Sequence, residues 1–379
     1  MCYNGERMSI FVHAHPRAED RNTWKVNDLN HLEAFLNALQ ADAAIIHRPE
    51  NLRWLAGYTG EGCLFITKDA HALLTDFRYY EQMRRQSPDW SLVEVKSGRS
   101  YPALLAGLIR GHNAKTVAVE TDYLTYDDYR ALAEAAPEAE LIPLAGLPEA
   151  LREIKDEAEL ASIRRAAAIA SDAFVNLLPR IHAGMTEKQV QRMLEFEMLE
   201  LGSEGVAFDT IAAAGLNGAL PHATPSDHVI ANGELLTLDF GATVDGYRSD
   251  MTRTVGFGKI GPELRAIYET VQTAQQMGLD ALAVGKTCGE IDKVARDYID
   301  ARYPGAFGHS LGHGVGLFIH EQPRVSSGNT AVLKCGHVVT VEPGVYIPGL
   351  GGCRIEDTVI MTADGVINTI AAPKHLIEL

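Results

Sequence analysis

Residues 235–252 read LLTLDFGATVDGYRSDMT, which combines an apolar strand pattern with an Asp-Gly turn and two acidic side chains. Asp-Gly between runs of strand-forming residues is the strongest short-range signal of a β-hairpin. If Asp245-Gly246 is a two-residue turn, residue 239 faces residue 252. Because side chains alternate along a strand, Asp239, Asp250 and Thr252 then share one face of the sheet. The stretch therefore predicts two carboxylates that converge on one position.

Asp239 and Glu342 each follow a run of four apolar or strand-forming residues, at 235–238 and 338–341. A carboxylate inside such a buried segment needs a cation or a proton. Two neighbouring carboxylates repel one another unless divalent ions keep both ionised. If this hairpin stood alone, two unrelated strand-edge acids would be the favoured interpretation, so the metal-site interpretation depends on the rest of the chain.

The segment HSLGHGVGLFIHE at residues 309–321 places three histidines among small and apolar neighbours. Their spacing of four and seven residues, with glycines that permit close backbone approach, is unusual for histidines that only pack in a core. A second hairpin follows, with Glu342 before it and a glycine-rich turn at 348–352. Arg354 and Glu356 are two residues apart, so on a strand they face the same way. Acidic side chains are thus expected from both arms.

Taken in order, these motifs resemble the pita-bread metallopeptidase family, and within it the Xaa-Pro peptidases: proline dipeptidase (prolidase) and aminopeptidase P. The resemblance is strong from about residue 150 to the C-terminus and looser over residues 30–150, through 49–51, 57–60 and 75–79. It implies an α+β protein, in which a C-terminal pita-bread (creatinase/aminopeptidase) catalytic domain follows a smaller α/β creatinase-like N-terminal domain.

The resemblance also implies a role for each site residue. Metal ligands would be Asp239 on one ion, His313 and Glu342 on the other, and Asp250 and Glu356 as bridges. Substrate contacts would come from His222, His309, His320 and Arg354, and the catalytic set would be Glu342 as proton shuttle with His320, His222, Arg354 and Tyr346. Tyr346 could instead be core packing, and Arg354 a surface ion pair. Asp76 and Arg78 are candidates to reach the pocket of a neighbouring subunit.

The ligand inventory of four carboxylates and one imidazole carries four negative charges, which balance two divalent cations. An oxygen-rich set with one histidine and no thiolate favours Mn²⁺, with Co²⁺ or Zn²⁺ as alternatives. The resemblance implies hydrolysis of the peptide bond before proline through this dinuclear centre and a bridging hydroxide. The expected substrates are proline-containing dipeptides or short peptides, and the expected assembly is a homodimer.

Three alternatives stay open. Aminopeptidase P acts on longer peptides. Methionine aminopeptidase shares the fold and the five ligands, but the first domain and the residues at 346 and 354 argue against it. Metal-free creatinase-like hydrolases or binding modules form the third class, and the intact ligand set argues against them.

Composition is that of an ordinary enzyme. A chain of 379 residues favours two domains. A net charge of −16 without basic runs argues against nucleic acid and anionic membranes as partners. The absence of a long apolar stretch or a signal-peptide core predicts a cytoplasmic protein. Five cysteines without CxxC spacing predict reduced thiols.

The chain divides into a polar N-terminal extension at 1–25, an N-terminal domain at 26–147 and a catalytic domain at 148–379. Helix and strand patterns alternate in the second part, which is typical of an α/β domain. Helices are expected there near 29–40, 102–110 and 126–135, and strands near 43–47, 63–67, 71–75, 116–119 and 139–142. Two prolines and a glycine at 142–148 mark the boundary. Long helices are expected at 156–182, 187–202, 262–282 and 288–302. No internal repeat is evident.

Overall fold

The computed structural model describes residues 27–379, so the polar extension predicted at 1–25 lies outside the described residues. Within the described part, none of the helices combines the length and the apolar character needed to cross a membrane. Four of the five cysteines fall in this part, and none of these four forms a disulfide there: Cys63, Cys288, Cys335 and Cys353.

The first third of the described chain, residues 27–152, forms one six-stranded mixed sheet with helices on both faces. The strand order is β4-β3-β2-β1-β5-β6, with β1, β5 and β6 parallel to one another. The strands are β1 Ala43–Ile46, β2 Cys63–Thr67, β3 His71–Asp76, β4 Ser91–Val95, β5 Thr116–Val119 and β6 Glu140–Pro143. The helices are α1 Asn27–Ala38, α2 Pro49–Ala56, α3 Tyr80–Gln86, α4 Tyr101–Gly111, α5 Tyr126–Ala135 and α6 Leu147–Arg152.

Alternation along β1 explains why this sheet is covered on both sides. Ala43 and Ile45 pack into one apolar cluster, whereas Ala44 and Ile46 pack into another. The second cluster extends beyond residues 27–152 and includes Ile319, next to the last histidine of the three-histidine segment. Strands buried on both faces read as continuous apolar runs, which is why β1 and β2 were recognisable in the sequence.

The rest of the described chain contains two helix pairs and several small antiparallel sheets. The helices are α7 Glu157–Leu177, α8 Glu187–Glu200, α9 Pro262–Ala281 and α10 Cys288–Asp300. The strands are β7 Ile211–Ala214, β8 Glu234–Phe240, β9 Thr243–Val244, β10 Tyr247–Arg248, β11 Met251–Phe257, β12 Gly312–Gly314, β13 Glu321–Val325, β14 Val338–Val341, β15 Gly344–Ile347, β16 Gly351–Arg354, β17 Asp357–Thr362 and β18 Gly365–Asn368. The two main sheets have the orders β11-β8-β7 and β13-β12-β14-β17-β18.

The two helix pairs are built alike. The second helix of each pair starts at a capping box, formed by Thr186 with Gln189 and by Thr287 with Glu290. Each capping threonine also forms an isolated β-bridge to a valine, Val229 or Val332. This internal similarity lies in the backbone arrangement, which is why the sequence showed no repeat.

The hairpin predicted at residues 235–252 is confirmed. Strand β8 pairs with β11 so that Asp239 lies opposite Thr252. Asp245 and Gly246 form the turn with φ of 51° and 72°, the positive values that a two-residue hairpin turn of this kind requires. The register therefore delivers Asp239 and Asp250 to the same side of the sheet.

The second hairpin is long and interrupted. Val341 pairs with Asp357 where β14 meets β17, and Gly344 pairs with Arg354 where β15 meets β16. Both ladders have the same register, so Glu342 and Glu356 lie opposite each other in the break between them. The interruption thus places two acidic residues face to face.

Some predicted bounds need correction. The first long helix ends at Leu177 rather than at 182, because Pro179 cannot donate the next helical hydrogen bond and residues 178–180 form a 3-10 turn. Helices α2, α3 and α6 and strand β4 were not predicted. Strand β4 lies at the edge of the sheet and is only half-buried, so its apolar signal is weak. The domain division between residues 147 and 148 stays a prediction.

Candidate functional site

Both hairpins meet the three-histidine segment at one buried cluster of carboxylates. Ligand atoms of Asp250, His313 and Glu356 all lie within 4.8 Å of one another. His313 Nε2 is 3.5 Å from Asp250 Oδ2 and 3.4 Å from Glu342 Oε1. Asp239 lines the same cleft. The structure therefore brings together the five residues that the sequence singled out as metal ligands.

Burial makes this concentration of negative charge unfavourable without counter-charge. Burial raises the pKa of Asp250 well above its ordinary value, and the charges of Asp239 and Glu342 raise it further. Burial together with the neighbouring carboxylates has the same effect on Glu356. The pKa of Glu342 rises to about 8, mainly through burial. Divalent cations would reverse this balance, because they favour the ionised carboxylates.

The imidazole of His313 is held in its neutral form. Its Nδ1 lies 3.0 Å from the carbonyl oxygen of Gly314, so Nδ1 carries the proton and Nε2 keeps its lone pair on the carboxylate side. Burial lowers the pKa of His313 to about 4, which maintains the neutral form. The backbone N–H of His313 donates to Thr340 Oγ1, which also lies 3.2 Å from Glu342 Oε1. Thr340 thus connects two of the candidate ligands.

Two oxygen atoms in the cluster support a metal site directly. Within residues 27–379, Asp239 Oδ1 and Glu356 Oε1 are buried without a hydrogen-bond partner. A buried carboxylate oxygen without a partner is strongly disfavoured unless it binds a cation. The other oxygen of Glu356 accepts from Thr252 Oγ1 at 2.7 Å, which fixes the carboxylate. The residues present therefore fit divalent metal ions.

Arg354 lies behind the cluster and is buried, so it is not a surface ion pair. Its guanidinium donates to Asp239 Oδ2, to Tyr346 Oη at 2.8 Å, to the carbonyl of Pro221 at 3.1 Å and to Thr252 Oγ1 at 3.1 Å. These contacts orient the carboxylate of Asp239. The hydroxyl of Tyr346 also forms a hydrogen bond with His309 Nε2 at 2.9 Å, so Tyr346 does more than pack in the core.

The cluster opens into a cleft of about 620 Å³. Exposed His222 and His320 both line it, on different loops, and His320 packs edge-on against His313 with ring centroids 4.6 Å apart. Asp76 and Arg78 are not among its lining residues, since Arg78 binds Asp76 and Glu61 at the surface. A contribution to the cleft of a second subunit stays a prediction.

Arg324 also lines the cleft and was missed in the sequence. Its guanidinium makes one weak hydrogen bond, from Nε to Ser310 Oγ at 3.4 Å, and no ion pair within the described part of the chain. The sequence did offer a signal for a cleft residue, because Arg324 follows His320, the last histidine of the motif, by only four residues. It was overlooked because a lone arginine beyond a motif is usually a solvated surface group.

Comparison with known families divides the chain in two. Residues 29–154 match the Creatinase/Prolidase N-terminal domain, and residues 161–363 match Metallopeptidase family M24. Both matches agree with the division into a mixed sheet followed by helix pairs and hairpins.

Individual relatives cover nearly the whole chain. An Xaa-Pro dipeptidase of Pyrococcus furiosus is 36% identical over 352 residues, which are 92% of this chain and 99% of that protein. The structure of an Xaa-Pro dipeptidase from Bacillus anthracis matches with a TM-score of 0.90 at 40% identity, covering 93% of this chain and 100% of that one. An X-Pro aminopeptidase from Thermotoga maritima matches with a TM-score of 0.85 at 34% identity, covering 91% and 99%. These matches confirm the fold class predicted from the sequence.

Proposed function

The chain belongs to metallopeptidase family M24, and we propose from this premise that it is an Xaa-Pro dipeptidase, which hydrolyses the bond before proline in a dipeptide. The observation that carries the proposal is the buried cluster of four carboxylates and a neutral histidine, in which two carboxylate oxygens have no hydrogen-bond partner among residues 27–379. Relatives named as Xaa-Pro dipeptidases over nearly their full length support the substrate class.

Five residues would hold two divalent ions, with Mn²⁺ proposed ahead of Zn²⁺ or Co²⁺: Asp239, Asp250, His313, Glu342 and Glu356. When bound, the ions would polarise the scissile carbonyl and lower the pKa of a water molecule. Proton transfer and substrate binding would depend on side chains of the protein. Glu342 would carry a proton toward the leaving proline nitrogen, which cannot depart without one.

The cleft side chains have separate proposed roles. His222 and His320 would donate hydrogen bonds to the carbonyl oxygen as negative charge develops on it. His309, held by Tyr346, would line the pocket for the proline ring. Arg354 would keep Asp239 oriented through the contact that the two side chains make. The homodimer and the cytoplasmic location expected from the sequence stay predictions.

Arg324 favours a dipeptidase over an aminopeptidase acting on longer peptides. The proline of a dipeptide carries a free carboxylate, whereas the proline of a longer substrate carries an amide. Arg324 offers a guanidinium in the cleft, without an acidic partner in residues 27–379. Guanidinium and carboxylate groups form strong paired hydrogen bonds. We therefore assign Arg324 to the substrate carboxylate.

Replacing Arg324 with Met tests this assignment. We expect KM for Xaa-Pro dipeptides to rise about tenfold to a hundredfold, since a hydrogen bond to a charged group contributes about 1.5–3 kcal/mol. Cleavage of the corresponding Xaa-Pro amides should change little, because they lack the carboxylate. Arg302→Met is the matched control, since Arg302 is exposed, does not line the cleft and contacts Tyr298 of α10. Equal losses on dipeptides and amides would contradict the role.

The test of the function itself compares Met-Pro, Met-Pro-Ala and Met-Ala-Ala as substrates of Mn²⁺-loaded protein, with a chelated sample alongside. Release of methionine from Met-Pro alone, abolished by chelation, is the expected result. Cleavage of Met-Pro-Ala at a similar rate would favour the aminopeptidase alternative. Activity restricted to Met-Ala-Ala, or unaffected by the chelator, would overturn the proposal.

A further inference from the structure

A buried carboxylate outside the metal cluster, that of Glu187, accepts hydrogen bonds from an unusual number of donors. Glu187 occupies the first turn of α8 and its side chain is fully buried. Its Oε1 accepts from the Ala214 N–H at 2.7 Å, and its Oε2 accepts from the Ser226 N–H at 2.8 Å and the Ser226 hydroxyl at 2.7 Å. Asn217 Nδ2 lies within reach of both oxygens, at 3.1 and 2.9 Å. No Lys or Arg pairs with this carboxylate in the described part of the chain.

These donors come from the two ends of one loop. Ala214 ends strand β7, and Ser226 lies twelve residues further along the chain. The loop between them carries His222, which is exposed and lines the cleft. Backbone bonds from Glu187 and Lys188 to the carbonyls of His228 and Ser226 hold the far end to the same helix start.

The middle of the loop is held from the other side. Arg354 donates to the carbonyl of Pro221, the residue before His222, while also contacting Asp239. Gly218 packs backbone to backbone against Gly352 on the second hairpin, where a side chain at position 352 would collide with the Gly218 carbonyl. The middle of the loop is thereby fixed to the second hairpin, whose Arg354 also contacts Asp239, and Glu187 fixes the two ends of the loop.

A carboxylate suits this position because it only accepts hydrogen bonds. The start of a helix favours negative charge, and the two oxygens of a carboxylate can together accept several hydrogen bonds. Glutamine has nearly the same shape, but it would present an NH₂ group to donors that need an acceptor. Buried donors left without partners are strongly unfavourable, so the loop would move to find water.

We propose that Glu187 is a positioning residue for His222: by binding both ends of the loop at 214–226, it sets where the imidazole stands in the cleft. The proposal rests on the proposed function, because the placement of His222 affects activity only if His222 contacts the substrate. Glu187 itself does not line the cleft.

The experiment compares Glu187→Gln with Glu200→Gln, which removes the same charge from an exposed position at the end of the same helix. Glu187→Gln should lower kcat/KM for Met-Pro about tenfold to a hundredfold, the loss expected when a reacting group is misplaced by about 1 Å. Glu200→Gln should leave it unchanged. In a His222→Ala background, Glu187→Gln should cause no further loss, because the residue that it positions is absent.

Hydrogen exchange supplies a readout that does not depend on activity. Amides of residues 215–225 should exchange faster in Glu187→Gln than in Glu200→Gln, while the hairpin at 235–252 keeps its protection. If Glu187→Gln fails to fold, Asn217→Ala removes one donor to the carboxylate and should show the same local effect to a smaller extent. Unchanged exchange in the loop, or losses that simply add to those of His222→Ala, would overturn the proposal. An inactive parent protein with the predicted change in exchange would instead reject the proposed function and retain the loop role.

Discussion

Asp250→Asn is expected to abolish metal-dependent hydrolysis. Asp250 lies within 4.8 Å of His313 and Glu356 at their ligand atoms, and asparagine keeps its shape but removes the charge that would hold a cation there. Metal ions contribute several kcal/mol of transition-state stabilisation, and each 1.36 kcal/mol is a factor of ten in rate. We therefore expect kcat for Met-Pro to fall by at least about a thousandfold.

Metal binding should change together with activity. A ligand that binds only the folded state at about 100 times its Kd adds about 2.7 kcal/mol of stability. Mn²⁺ should therefore raise the melting temperature of the parent protein and fail to raise that of Asp250→Asn. Asp280→Asn, on the exposed face of α9, is the control for the loss of one negative charge. Parental hydrolysis and metal content in Asp250→Asn would rule out the site.

Glu321→Gln is expected to have the largest effect on stability. Glu321 begins strand β13 directly after His320, and its carboxylate binds Arg152 Nη2 at 3.2 Å and Lys155 Nζ at 2.9 Å. The three side chains are only 5%, 4% and 1% exposed. Loss of one partner leaves buried cations uncompensated, which typically destabilises by about 3–5 kcal/mol. Urea unfolding should show a decrease of this size.

The control for Glu321 is an ion pair of the same chemistry in solvent. Glu81 and Arg84 pair on the surface of α3, where such a contact contributes about 0–1 kcal/mol. Glu81→Gln should therefore be close to neutral. If Glu321→Gln were equally neutral, the buried network between α6, the start of α7 and β13 would not stabilise the protein.

The pH dependence of stability gives an independent check on Glu321. Burial alone would raise the pKa of Glu321, but Lys155 and Arg152 outweigh it and hold the pKa below its ordinary value. A lowered folded-state pKa contributes stability that is complete above the unfolded value of about 4.3 and is lost as pH falls through the folded value. The difference in stability between the parent and Glu321→Gln should thus be constant near neutral pH and shrink in acid.

Much of the candidate site could be predicted because its signals are local. An Asp-Gly turn determines the register of the hairpin around it, so the pairing of Asp239 with Thr252 followed from residues close together in the chain. The three-histidine segment was recognisable in the same way, from the spacing of residues 309–321. The edge strand β4 had no comparable signal, since its side chains are half-buried on both faces.

The partners of the buried charges could not be predicted. Glu187 looked like an ordinary first-turn glutamate beside the capping threonine, and nothing near it pointed to Ser226. Glu321 finds its cations at Arg152 and Lys155, more than 160 residues earlier. Arg354 meets Asp239 across 115 residues. Each of these contacts depends on how two separately formed elements pack.

The sequence by itself indicated the two hairpins and the faces of their acidic residues, because turn chemistry and side-chain alternation act over a few residues. The fold class and the five candidate metal ligands followed from the resemblance of the ordered motifs to a known family. Only the tertiary structure decided that the candidate ligands meet in one buried cluster, that Arg354 contacts Asp239, and that Glu187 and Glu321 find their partners in distant segments. The physical reason is that a buried charge requires partners at a distance of about 3 Å. Only the packed chain brings residues from distant positions to that distance.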